Sequence, residues 1–328
     1  MSARNVIEIQ QLTRQFGTTT AVDDLSFNVK AGEVFGFIGP NGAGKTTTMR
    51  ILSTLDTPTL GHAWIDGFSV VDDPDRVRSR LGFMPDGFGT YPNVTCEEYL
   101  DFFARSYGLK GRDRRSALLK VMQFTQLDRL AQKPVDGLSK GMKQRLCLGR
   151  SLIHDPSVLI LDEPAAGLDP RARIELREMI VQLAAEGKAL LISSHILTEL
   201  AEMCDRVAII EKGALLAVGS VEEILRGGGG LEVDTVATVA SNGETDVWIS
   251  ITVLSDLDQT IELLQKQDQI SEVRRYENSA EFRCANHPES HADLLQQLIN
   301  QGARVSQFSV KQKSLEDAFL HVTKGIVQ

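Results

Sequence analysis

An α/β fold built on a mostly parallel sheet, followed by a small α+β domain, is what this sequence predicts, and three observations predict it. Up to about Arg226, short apolar runs alternate with helical patterns, the rhythm of strands covered by helices. A glycine-rich loop, Gly39-Pro40-Asn41-Gly42-Ala43-Gly44, follows one of those runs and opens a helix at Lys45. After Gly227 to Gly230 the apolar pattern restarts in the order strand, helix, strand, strand, helix, strand, which is the split βαβ, ferredoxin-like arrangement.

In the first part the strand candidates are Val34 to Ile38, Val158 to Leu161, Ala189 to Ser193 and Val207 to Ile210. Between Arg76 and Ile153 the pattern turns helical, with Met142, Leu146, Gly149 and Ile153 recurring at steps of three and four on one face. Consecutive glycines carry too much backbone freedom for a helix or strand interior, so residues 227–246 read as a linker between a domain at 1–226, its helical part at about 76–153, and a second domain at 247–328. In the second domain the expected elements are Val247 to Val253, Leu257 to Gln267, Ile270 to Tyr276, Ala280 to Cys284, Pro288 to Gln301 and Arg304 to Val310. An amphipathic helix from roughly Leu315 to Val322 closes the chain.

Composition narrows the function classes. A chain of 328 residues with 42% hydrophobic content can bury a large core. A formal net charge of -9 argues against an extended phosphate-binding surface, so no nucleic-acid partner is expected. Cys96, Cys147, Cys204 and Cys284 lie far apart, without the spacing of a metal knuckle or a disulfide framework, which fits a reducing cytosol. No stretch approaches the roughly 18 to 20 apolar residues of a membrane-crossing helix. The expected location is cytoplasmic, with any membrane role arising through a partner.

The residues Gly39, Pro40, Asn41, Gly42, Ala43, Gly44, Lys45, Thr46 and Thr47 form a G-x-x-x-x-G-K-T-T run between a strand and a helix. Glycines at 39, 42 and 44 let backbone N–H groups converge into an anion nest at the positive end of the helix dipole. Lys45 then reaches the β- and γ-phosphates of a nucleoside triphosphate, and Thr46 is placed to ligate Mg²⁺. The apolar run Val158 to Leu161 ends in Asp162 and Glu163. Two carboxylates at the carboxyl end of a buried strand are costly unless cations and water occupy the crevice there. Asp162 is the expected Mg²⁺ holder, and Glu163 the residue that polarises the attacking water.

Leu138-Ser139-Lys140-Gly141-Met142-Lys143-Gln144-Arg145, just upstream of that strand, resembles the signature motif of ATP-binding cassette proteins. Ala166-Gly167-Leu168-Asp169-Pro170 is similar to the family's D-loop, Ser193-Ser194-His195 to its switch histidine, and Gln15-Phe16-Gly17 to its adenine-stacking aromatic. The resemblance implies a P-loop cassette whose parallel core carries an antiparallel N-terminal β subdomain and a helical subdomain. It implies ATP with Mg²⁺ as ligands, Ser139 and Gly141 contacting the γ-phosphate held by the opposite subunit of a homodimer, and His195 bonding a γ-phosphate oxygen. In the place where most members carry glutamine, Gly82-Phe83-Met84-Pro85-Asp86 has Asp86, which can still ligate Mg²⁺ but lacks the amide donor.

Tyr91 to Thr95, Glu97 to Leu100 and Ser314 to Leu320 look like the ATP-binding subunits of type-2 exporters of drugs, sodium or polysaccharide. That implies an ATPase driving export through a separate integral membrane permease. Two other readings stand beside it: a cassette ATPase acting on ribosomes or DNA, and a regulatory cassette that scarcely hydrolyses. His287 and His291 read as a solvated helix start rather than a metal pair, and Arg112, Arg114 and Arg115 as a hydrated face.

Overall fold

The computed structural model describes residues 4–226 and 246–311, apart from Phe88, Thr90, Pro92, Ser255, Asp268 and Asn286. The chain divides into two compact units, considered one at a time. In the first, the elements are β1 (Asn5–Phe16), β2 (Thr19–Lys30), β3 (Val34–Ile38), α1 (Lys45–Leu52), β4 (Leu60–Ile65), β5 (Phe68–Ser69), α2 (Pro74–Arg80) and β6 (Leu81–Met84). They continue with α3 (Cys96–Ser106), α4 (Gly111–Phe124), α5 (Lys140–Leu152), β7 (Val158–Asp162), α6 (Pro170–Ala185), β8 (Ala189–Ser194), α7 (Leu197–Ala201), β9 (Arg206–Glu211), β10 (Ala214–Ser220) and α8 (Val221–Arg226).

The central sheet runs β10-β9-β3-β8-β7-β6, parallel except for the antiparallel β10 at one edge. Strands β3, β7 and β8 are buried along their whole length, as continuous apolar runs between covered faces must be. The two-residue period of β7 divides its side chains between two cores. Leu159 and Leu161 pack with the helices, among Leu100, Leu146 and Leu148. Val158 and Ile160 face the opposite way, toward Ile7, Phe35 and Met49. That second core is roofed by an antiparallel sheet of order β2-β1-β4-β5.

The stretch expected to be helical from Arg76 is not helical throughout. Leu81-Gly82-Phe83-Met84 forms the edge strand β6, paired in parallel with β7, and α3 starts only at Cys96. Four apolar residues are too short to show a period, so the sheet's demand for a neighbour decided their conformation. Thr95 and Glu98 then close a reciprocal cap on α3, each side chain bonding the other's backbone N–H.

Strand β6 is gripped by α5 and the residues just after it. Ser151 Oγ donates to the Phe83 carbonyl at 3.0 Å, and the His154 ring bonds the Leu81 carbonyl at 3.1 Å. A Cβ on Gly82 would sit 2.3 Å from the Ser151 carbonyl, so only glycine allows this approach. His154 also stacks on Tyr107, with ring centroids 3.7 Å apart. Burial pushes its pKa down from 6.5 to about 4. The unfolded chain therefore takes up a proton that the folded chain refuses, so stability is full above about pH 6.5 and falls as pH drops towards 4. Urea unfolding of His154→Asn across that window is expected to show a shallower loss than the parent.

The second unit comprises β11 (Asp246–Val253), α9 (Leu257–Gln265), β12 (Ile270–Arg275), β13 (Ser279–Ala285), α10 (Pro288–Asn300) and β14 (Val305–Lys311). Its sheet has the antiparallel order β12-β13-β11-β14, with Ile249, Ile251, Phe282, Leu294 and Leu298 at the centre of its core. His291 is buried, and its ring bonds the Ala285 carbonyl at 2.9 Å, so it is a structural histidine and not part of a solvated helix start. Arg114, in the run expected to be hydrated, pairs with Asp101 at 3.0 Å. The linker expected at 227–246 lies outside the described residues except for Asp246, which opens β11, and the helix expected at 315–322 lies outside them altogether.

Candidate active site

At the carboxyl end of the parallel strands, the loop from Gly39 to Gly44 leaves β3 and turns into α1. Gly42 and Gly44 have φ of 82° and 104°, in the left-handed region that side chains disfavour. Gly39 is fixed by space instead, since a Cβ there would lie 2.4 Å from the Ile210 carbonyl. Lys45 is buried, its ammonium bonding the Gly39 carbonyl at 2.6 Å and the Pro40 carbonyl at 3.3 Å. Thr46, in the first turn of α1, is exposed, and Thr47 half-buried.

Four residues from three separate elements meet there. Glu163 Oε1 lies 3.5 Å from Lys45 Nζ, and Glu163 Oε2 is 2.7 Å from His195 Nδ1. Oε1 is buried and has no hydrogen-bond partner among the described residues. Asp162, 1% exposed, precedes it at the end of β7, and its Oδ1 accepts the Ser193 hydroxyl at 2.6 Å. Glu163 itself has φ 49°, an uncommon conformation for a residue with a side chain.

The contact with Glu163 constrains His195. A carboxylate can only accept, so Nδ1 carries the proton and a neutral ring presents Nε2 as an acceptor. Donation to a γ-phosphate oxygen from this geometry requires the protonated ring or a turned one.

The remaining candidates stand apart from this cluster, with no hydrogen bond or ion pair to it among the described residues. Ser139 caps α5, accepting Met142 N–H at 3.3 Å, and Asp169 caps α6, accepting Ala172 N–H at 2.9 Å. Gly141 packs close to the start of α6, where an added Cβ would meet Ala172 at 3.1 Å. The Lys140 chain lies over Gly167, so that α5 and the loop before Asp169 touch. Asp86 is exposed just beyond β6. Phe16 is 48% exposed with the Arg14 guanidinium 4.4 Å from its ring centre, and Arg14 is tied to Asp56 at 2.7 Å. Sequence reasoning missed the contacts of Ser193 and Arg14; the first depends on which strand lies beside β7, which spacing along the chain does not encode.

The donor set fits a magnesium nucleotide. The glycine cradle admits backbone N–H groups to an anion, and the Asp162 carboxylate and the exposed Thr46 hydroxyl are the hard oxygen donors that Mg²⁺ prefers. Glu163 Oε1, buried and without a hydrogen bond among the described residues, lies within ion-pair reach of Lys45.

Residues 22–166 match the ABC transporter family profile. Residues 240–323 match the C-terminal domain of DrrA1-3-like ATP-binding proteins. The probable multidrug ABC transporter ATP-binding protein YbhF of Escherichia coli is 39% identical over 219 residues, covering 67% of this chain but only 38% of that protein's length. The Nod factor export ATP-binding protein I of Ralstonia nicotianae is 38% identical over 67% of this chain and 68% of its own. The linearmycin resistance ATP-binding protein LnrL of Bacillus subtilis is 29% identical over 97% of this chain and 98% of its own. Among solved structures, an ATP-binding subunit of an ABC transporter superposes with a TM-score of 0.63 at 32% identity, over 69% of this chain and 95% of that one. The dimeric cassette MJ0796 gives 0.60 at 26% identity, over 66% and 98%. With a phosphate cradle and an acidic strand end, both inside the matched profile, and a relative 38% identical over two thirds of its own length, this chain belongs to the ABC transporter family.

Proposed function

We propose that the protein hydrolyses ATP and couples the closure of a cassette dimer to export through a separate membrane permease. The observation that carries this reading is the Glu163 carboxylate, held between Lys45 and His195 beside the buried Asp162. The loop N–H groups and Lys45 bind the triphosphate, while Thr46, Asp162 and Asp86 are the residues that would hold Mg²⁺. Bound Mg²⁺ supplies neutralising charge to the phosphate oxygens. Glu163 accepts the proton of the attacking water, and His195 fixes the carboxylate that does so. Ser139, Gly141 and Asp169 serve the nucleotide of the second copy, a division of labour that the absence of any link to the Lys45 cluster among the described residues favours. The dimeric form of MJ0796 supports the same arrangement.

Export is the direction consistent with the relatives' names, which speak of multidrug transport, Nod factor export and linearmycin resistance. No helix among the described residues is long and apolar enough to cross a membrane, so the permease is a second polypeptide in this reading. The chain, affinity-tagged and solubilised from membranes in detergent, is expected to bring down a polytopic membrane protein and to hydrolyse ATP only with Mg²⁺. Recovery with ribosomes or DNA after high-salt washing would sink the proposal.

Phe16 stacks on the base in this scheme, with Arg14 holding the ring in place. Base–aromatic stacking is worth about 1–3 kcal/mol, so Phe16→Ala is expected to raise the KM for ATP about fivefold or more and leave kcat nearly unchanged. Steady-state phosphate release over a range of ATP concentrations checks it; an unchanged KM removes Phe16 from the site.

A further inference from the structure

Ser193 lies on β8 directly beside Asp162 on β7, in parallel register, and has no exposed surface. Its hydroxyl donates to Asp162 Oδ1 at 2.6 Å and accepts the Glu163 N–H at 2.9 Å. Three other buried hydroxyls in this unit bond backbone carbonyls: Thr48 that of Gly44, Thr125 that of Val121, and Ser151 those of Cys147 and Phe83. The partners of Ser193 are instead the two acidic residues of the site. A hydroxyl has one proton, so giving it to Asp162 fixes the rotor and leaves a lone pair for the Glu163 N–H.

We infer that Ser193 is a positioning residue for both carboxylates. By engaging Oδ1 of Asp162 it fixes the plane of that carboxylate and leaves Oδ2 as the oxygen for a divalent cation. By accepting the Glu163 N–H it holds that backbone at φ 49°, the conformation from which the side chain reaches both His195 and Lys45. Residues with side chains keep such a φ only where their surroundings over-determine it. The inference rests on the proposed ATPase reading and adds to it the element that sets the metal ligand and the base together.

The test uses the full chain, a non-hydrolysable ATP analogue and Mn²⁺ as the probe cation. Partners that orient metal-bound carboxylates typically matter by about 10–100-fold. Ser193→Ala is expected to weaken Mn²⁺ binding to the nucleotide complex by at least about tenfold and to lower kcat by a similar factor. Its affinity for the nucleotide in EDTA is expected to match the parent's. Ser193→Cys, close in volume but a poor donor, should behave like Ser193→Ala, and Ser193→Thr should restore cation affinity; thermal unfolding accompanies each variant. Parental Mn²⁺ affinity and kcat in Ser193→Ala or Ser193→Cys overturn the inference. So does an equal loss of nucleotide affinity with and without cation, or a folded Ser193→Thr as weak as Ser193→Ala. If the parent itself binds no nucleotide under either condition, the ATPase reading has failed instead.

Discussion

Glu163→Gln is expected to lower steady-state ATP hydrolysis by about 10²–10⁴-fold while leaving ATP binding intact, the range general-base removal ordinarily costs. The amide keeps the shape of the side chain but cannot take the proton of the attacking water. It also removes the negative charge that lies 3.5 Å from Lys45 Nζ, so no carboxylate competes with the triphosphate for the ammonium. In the proposed dimer, a nucleotide that binds and is not consumed would keep two copies together. The expected readout is therefore an ATP-dependent dimer, seen by size-exclusion chromatography, alongside phosphate release near background. Turnover at the parental rate would remove Glu163 as the base.

Gly44→Ala is expected to abolish the nucleotide site by a different route. At φ 104° an added methyl is strained, and it would also stand 2.4 Å from the Ala21 carbonyl on β2, backbone that cannot swing aside. Such a combination costs about 2–4 kcal/mol, and the loop can relax only by breaking its cradle. Urea unfolding is expected to show the stability loss, and titration with a fluorescent ATP analogue a fall in affinity of about a hundredfold. Gly42→Ala is the comparison. Its φ of 82° is also unfavourable, but nothing lies within 4 Å of the new methyl, so about 1–2 kcal/mol is the expected cost. Equal behaviour of the two variants would mean that contact with β2 does not matter.

Much of the site was legible because its chemistry is written in contiguous residues. The cradle must run straight from strand to helix, so Gly39 through Thr47 appear together, and the acids must cap a buried run, so Asp162 and Glu163 appear together. What escaped was set by pairing between distant segments. Ser193 becomes a neighbour of Asp162 only because β8 lies against β7, and the ion pair that ties Arg14 beside Phe16 comes from Asp56, far along the chain. The proton of His195 was likewise out of reach, since its direction depends on the Glu163 oxygen beside it. In the second unit the order of elements followed from hydrophobic alternation. Its element ends moved by one or two residues, as at Leu257–Gln265, where ladder and helix hydrogen bonds rather than side-chain pattern decide the limit.

The grip of α5 on β6 has a mechanical consequence. From its cap at Ser139 to Ser151 the helix is a rod about 18 Å long. Its far end is bolted, through Phe83 and the bare Cα of Gly82, to the strand that leads into Asp86. A push at the serine end therefore cannot be absorbed in slack chain. Helix and strand are thereby joined as one piece, although the two segments lie far apart along the chain.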